Sequence, residues 1–219
     1  MILEDFVMLG KTAPETDRQG RVTVCSAGWS PELRQLIRIY PLSEENCPPD
    51  FSVSQVRLER NRKDSRMESW AIAGDRSVDV HKNINARFDI RGILNDRESL
   101  FNEIPSVSSI KEANEKRLSL AVVEPEIKPD FYLEFNQNRV AGKKSTKAYD
   151  YIPRLKFIAG GKTHKLKYLN QEVYENLGKN MHNIGLLRIK ERFQTTPRLL
   201  IGNMFAFRNN WLVIAGLNT

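Results

Sequence analysis

The sequence predicts an α+β protein: a small β-barrel or sandwich-like part at the N-terminus, helices in the centre, and C-terminal mixed or antiparallel strands with one short helix. Three observations carry that expectation. Residues 1–80 hold four short strand-like runs separated by turn residues, the pattern of a small barrel or sandwich. Between residues 81 and 117 the β-branched runs give way to apolar residues at loosely helical spacing. Residues 118–219 return to β-rich runs. The three stretches can also be parts of one compact domain.

The four N-terminal runs are GRVTVCSAGW after a Gly-bearing turn, LRQLIRIYPL ending at a proline, VSQVRLER with imperfect alternation, and ESWAIAG. In NARFDIRGILNDRESLFNEI, Phe88, Ile93, Leu94, Leu100, Phe101 and Ile104 predict helix, ended by Pro105. Ser109 followed by Glu112 forms a capping box that opens a second helix running to Arg117. LSLAVVEP, FYLEF, YIPRLKFIA, PRLLIGNMF and NWLVIAGL predict strands. LNQEVYENLGKN puts Leu169, Val173 and Leu177 on one face of a short helix that Gly178 ends.

With 219 residues, 40% of them hydrophobic, the chain can bury a substantial core. No apolar run reaches the roughly 18 residues of a membrane span, and the N-terminus has acids where a secretory signal has positive charges. A cytoplasmic protein without a membrane partner is expected. Cys25 and Cys47 cannot build a disulfide framework; Cys25 reads as a small buried hydrophobe and Cys47 as loop. His81, His164 and His182 lie far apart, so neither a metal nor a cofactor is expected.

The net charge of +7 favours a polyanionic partner, and its distribution is uneven. From residue 139 to 167, nine cations (Arg139, Lys143, Lys144, Lys147, Arg154, Lys156, Lys162, Lys165 and Lys167) face one acid, Asp150, with Tyr149, Tyr151, Phe157 and Tyr168 between them. Phosphates could meet the lysines and arginines while bases stack on the rings. Arg154 and Lys156 share a strand face opposite Leu155 and Phe157. Arg38, Arg60, Arg62 and Lys63 form a second candidate strip, and Tyr40 beside Arg38 reads as a core plug or a stacking partner.

Two enzyme-like motifs are weaker. In KFIAGGKTHK the first glycine of a GxxxxGK[ST] phosphate loop would fall at 156, where a lysine stands, and Gly160-Gly161 already reads as a two-residue hairpin turn. Glu126-Ile127-Lys128 has the acid and lysine spacing of metal-dependent nucleases, with Asp64 or Glu68 as partner acids, but prolines flank it on both sides.

VCSAGW followed by RIYPL, the stretch DSRMES (64–69), SLAVVEP (119–125), and Gly202-Asn203 before WLVI resemble, in order, an uncharacterised bacterial family. Its pattern runs V-C-x-A-G, R-x-Y-P, D-P-R-P-E-S, S-L-G-x-I-x-P and G-N…W-L-V-I. Met67 stands in place of a proline of that pattern and Ala121 in place of a glycine. The family is loosely associated with mobile-element and anti-phage gene clusters, which implies a nucleic-acid partner, DNA before RNA, and a possible protein partner. Within the loop, Asp64, Arg66, Glu68 and Ser69 are expected to be structural, leaving Arg60, Arg62 and Lys63 for phosphate. The leading expectation is a non-catalytic nucleic-acid-binding subunit or accessory factor of a defence or mobile-element system. Its alternatives are a metal-dependent nuclease using Asp64 and Glu68 with Glu126 and Lys128, and a protein-interaction module for an acidic partner.

Overall fold

A computed structural model describes residues 1–17, 20–73, 88–140, 145–178, 182–194 and 198–218. The N-terminal strands are β1 (Ile2–Lys11), the short β2 (Glu15–Thr16), β3 (Val22–Ser30), β4 (Gln35–Ser43), β5 (Ser52–Arg60) and β6 (Ser69–Ile72). β1 pairs antiparallel with β3, and β3 with β4; β4 runs parallel to β6, which pairs with β5, and β5 returns to β1. Five strands thus close a barrel, which removes most exposed sheet edges.

β1 was not expected as a strand. Its apolar residues serve two cores at once: Phe6 and Met8 point into the barrel, while Val7 and Leu9 point out to a second cluster. That double burial hides the period-two pattern. Register shifts between Leu3 and Phe6 on the β5 side and between Met8 and Gly10 on the β3 side bend it between its two partners. Gly28 makes the close approach possible, because a Cβ there would lie 2.3 Å from both the Phe6 ring and the Val7 carbonyl oxygen. Leu3, Phe6, Met8, Val24, Ile37, Ile39, Val56, Leu58, Trp70 and Phe88 fill the interior.

Residues 88–93 form a strand, β7 (Phe88–Ile93), where helical spacing predicted a helix. The edge of β5 from Ser52 to Val56 offers unpaired backbone groups, and β7 takes them up antiparallel. Pairing and the burial of Phe88 override the local spacing. Helix α1 (Arg97–Glu103) follows, capped by the Asp96 side chain accepting from the Ser99 amide. Helix α2 (Ile110–Glu115) begins with the Ser109 hydroxyl accepting from the Glu112 amide, and the Glu112 carboxylate in turn accepts from the Ser108 amide and hydroxyl.

Beyond the barrel, β8 (Ser106–Val107), β9 (Leu120–Val123), β13 (Arg198–Asn203) and β14 (Trp211–Leu217) form a four-stranded sheet in the order β14-β13-β9-β8. Both of its faces are buried. Leu120, Val122, Leu200 and Ile214 pack on Val7, Leu9, Ala27, Trp29 and Leu36 of the barrel's outer wall. Ala121, Val123, Leu199, Ile201 and Val213 pack on the other side against Phe131, Leu155 and Phe157. Those last residues belong to a three-stranded antiparallel sheet of β10 (Asp130–Phe135), β11 (Tyr151–Ala159) and β12 (Lys162–Lys167). Two helices, α3 (Gln171–Gly178) and α4 (His182–Arg192), close this side, where the sequence predicts one. The observed architecture is α+β, with an N-terminal five-stranded barrel, few helices and C-terminal strands.

Candidate functional site

The loop between β5 and β6 is held from within and from the far end of the chain. The Arg66 guanidinium forks onto the Asp64 carboxylate, and the Ser69 hydroxyl donates to the same group at 2.7 Å. Burial pushes the Asp64 carboxyl up, but the bonds from Arg66 and then Ser69 outweigh it and hold it below the usual aspartate value. Glu68 accepts from the amide and the hydroxyl of Ser119, each at 3.0 Å, at the entry to β9. The Ser119 carbonyl in turn accepts from the Asn203 amide at 3.0 Å and from Arg38 Nη2 at 2.6 Å. Residues from RIYP, DSRMES, SLAVVEP and the Gly202-Asn203 pair therefore share one hydrogen-bonded network.

A cleft of about 390 Å³ opens beside this network, with Cys25, Arg38 and Tyr40 from the barrel on one side and Gly202, Asn203, Leu212 and Ile214 from the C-terminal sheet on the other. Arg66, Met204 and Phe205 form part of the rim. The expected phosphate-strip role of Arg38 is corrected here: it is 5% exposed and cannot lie along a surface strip. Arg38 and Tyr40 do share the strand face opposite Ile37 and Ile39, but the C-terminal sheet covers that face at Arg38. Cys25 is half-buried rather than a core hydrophobe, with Sγ 3.3 Å from Arg38 Nη1. Tyr40 stands exposed at the cleft, not as a core plug. Cys47 is buried, and burial first of all pushes its thiol up to about 12.

The second strip divides. Arg60 lies over the Trp70 ring at 3.9 Å and donates to the Met67 carbonyl, so its charge serves the loop. Arg62 and Lys63 are exposed. In the basic tract, Arg154, Lys156, Lys165 and Lys167 lie on one face of the three-stranded sheet, because Lys156 pairs with Lys165 and Arg154 with Lys167 across β11 and β12. Tyr132 stands opposite Arg154 on the same face, and Glu134 binds Arg154 at 2.6 Å. Lys162 sits at the hairpin end and Lys147 on a short 3₁₀ turn, both exposed. Lys143 and Lys144 lie outside the described residues, as does His81.

The nuclease candidates do not assemble. Glu126 accepts from the Gly161 amide at 2.7 Å, and Lys128 bonds to Gln194. Asp64 and Glu68 are committed as described above. Among the described residues no group of three His, Cys, Asp or Glu side chains could hold a metal ion. Gly160 and Gly161, the glycines of the apparent phosphate loop, have φ of +59° and +69° and form the β11–β12 turn.

Sequence reasoning missed Cys25, Ser119, Gly202 and Asn203 as cleft or network residues. The only available signal was their presence in motifs of one resemblance, since nothing local indicates that strands so far apart in sequence meet. Counting barrel strands alone, the order is first, second, third, fifth, fourth, first, with the third and fifth parallel.

Among the described residues no helix is long and apolar enough to cross a membrane. No curated protein and no solved structure matches the chain. The family model of a domain of unknown function (DUF8758) matches residues 3–99, which take in the barrel, β7 and the start of α1.

Proposed function

We propose that this protein is a non-catalytic module that binds nucleic acid, DNA before RNA, through the lysine-bearing face of β11 and β12 with Arg62 and Lys63 as further contacts. The observation that carries this reading is the pairing of Lys156 with Lys165 and of Arg154 with Lys167 on one face. Like charges directly opposite one another destabilise a sheet; Glu134 relieves the Arg154 end and Asp130 stands opposite Lys156 on β10, so Arg154, Lys156, Lys165 and Lys167 still outnumber the two acids on this face. A polyanion laid across the face would offset that repulsion. Tyr132, half-buried beside Arg154, adds a ring for stacking. The family resemblance supports a role as an accessory factor in a defence or mobile-element system.

The test is fluorescence anisotropy with labelled single-stranded DNA, duplex DNA and RNA across a salt series. Affinity should fall steeply with salt, and replacing Lys156, Lys165 and Lys167 by Gln should reduce the logarithmic slope by about 2, at about 0.7 per phosphate contact on single strands. Absence of binding at low salt, or an unchanged slope in the triple variant, overturns the reading. Equal affinity for polyglutamate would shift it to an acidic protein partner.

A further inference from the structure

Arg38 differs from three other partly buried arginines among the described residues. Arg66 holds Asp64, Arg154 holds Glu134, and Arg198 holds Glu124. Arg38 is more deeply buried than these, yet among the described residues it forms no ion pair. Of its five N–H groups, Nη2 donates to the Ser119 carbonyl and Nη1 meets only the Cys25 sulfur, a weak acceptor. Its Nε is buried without a partner. A buried charge with no counter-charge costs several kcal/mol, and packing alone gives no reason to keep one there. The head group borders the cleft: a Cβ built at Gly202, on the opposite wall, would lie 3.2 Å from Nη2. Glu15, a carboxylate also on the cleft wall, is already engaged by the Ser145 hydroxyl and by the amide and hydroxyl of Thr146.

We propose that this cleft binds one phosphate-bearing group of nucleotide size, with Arg38 as the counter-charge to the phosphate. A guanidinium presents its donors as a fork that fits phosphate oxygens. Tyr40 and Phe205, both exposed at the rim, offer rings to a base, and Leu212 and Ile214 supply an apolar wall. The volume, about 390 Å³, is at the lower end of small-ligand pockets. Size also limits the ligand from above. The C-terminal sheet covers the barrel's outer wall at Ala27, Trp29 and Leu36, so a run of nucleotides cannot lie along β3 and β4. The source of the phosphate is either a free nucleotide or the phosphorylated end of a strand. The residues differ from those of the lysine face, so either proposal can fail without the other.

Calorimetry and thermal melting of the full chain in chloride buffer, with inorganic phosphate or AMP added at constant ionic strength, test the site. AMP should bind one per chain and raise the Tm, and inorganic phosphate should do so more weakly. Arg38→Met should lower AMP affinity on the order of tenfold or more, the loss expected for a charged hydrogen-bond donor. Without ligand its Tm should equal or exceed that of the wild type, since the buried charge is gone. Ala206→Trp, at the exposed rim and away from the core, should block AMP if Arg38→Met proves unable to fold. The triple Lys→Gln variant should keep AMP binding. Tighter binding of a 5′-phosphorylated tetranucleotide than of its 5′-hydroxyl form identifies a strand end as the ligand, and preference for AMP over both identifies a free nucleotide. The proposal is overturned if neither phosphate nor AMP binds saturably, or if Arg38→Met and Ala206→Trp leave AMP affinity unchanged.

Discussion

Arg66 Nη1 lies 2.7 Å from the carbonyl oxygen of Asn203 and 3.1 Å from its side-chain oxygen, across 137 positions of sequence. The same guanidinium holds Asp64, so one side chain joins the β5–β6 loop to the C-terminal sheet. Arg66→Lys keeps the charge but loses the planar fork. Urea denaturation should show a loss on the order of 1–3 kcal/mol. An unchanged midpoint would mean that the loop is held by other contacts.

The depressed Asp64 carboxyl has a defined pH signature. A group whose folded-state value is lowered contributes stability that is present above its unfolded value, about 3.9, and lost as pH falls toward the folded value. Urea midpoints measured from neutral pH downward should therefore drop below about pH 4, and Asp64→Asn should flatten that limb. Parallel acid limbs in the two proteins would remove Asp64 from the cause.

The two turn glycines should rank in a fixed order. Both occupy positive φ, where an L side chain costs about 1–2 kcal/mol, so Gly161→Ala should cost that amount, with open space for the methyl. Gly160→Ala should cost more, because its Cβ would lie 2.5 Å from the Ser109 Cβ. Thermal melts of the two variants check the order, and equal losses would contradict it.

Trp29 is 2% exposed and fills the layer between the barrel wall and the C-terminal sheet. Trp29→Ala should cost about 3–5 kcal/mol in chemical denaturation. A loss under 1 kcal/mol would show that this layer closes around the cavity or contributes little.

Much of this was legible locally. Turn residues and short apolar runs mark β3 to β6, and Ser109 with Glu112 marks α2. The loop bonds of Asp64, Arg66 and Ser69 lie within six residues and follow from residue type alone. The misses share a physical cause. β1 looks unpatterned because its two faces enter different cores, and β7 looks helical because spacing carries no information about the free edge of β5. Arg38 was correctly placed on a strand face with Tyr40, yet what covers that face arrives from Ser119 and Gly202, far along the chain. Burial of a cation is a tertiary fact that strand periodicity cannot report.

β9 sets a further condition on the whole fold. Its four residues alternate between the two cores, Leu120 and Val122 toward the barrel, Ala121 and Val123 away from it. A slip of one position against β13 would exchange these pairs. The barrel side would then receive alanine where leucine had been, leaving a void, while the opposite side would have to admit a leucine where alanine had been. Unequal side chains on a strand buried on both sides thus act as a key, and the register that satisfies both cores also brings Ser119 to Arg38 and Glu68.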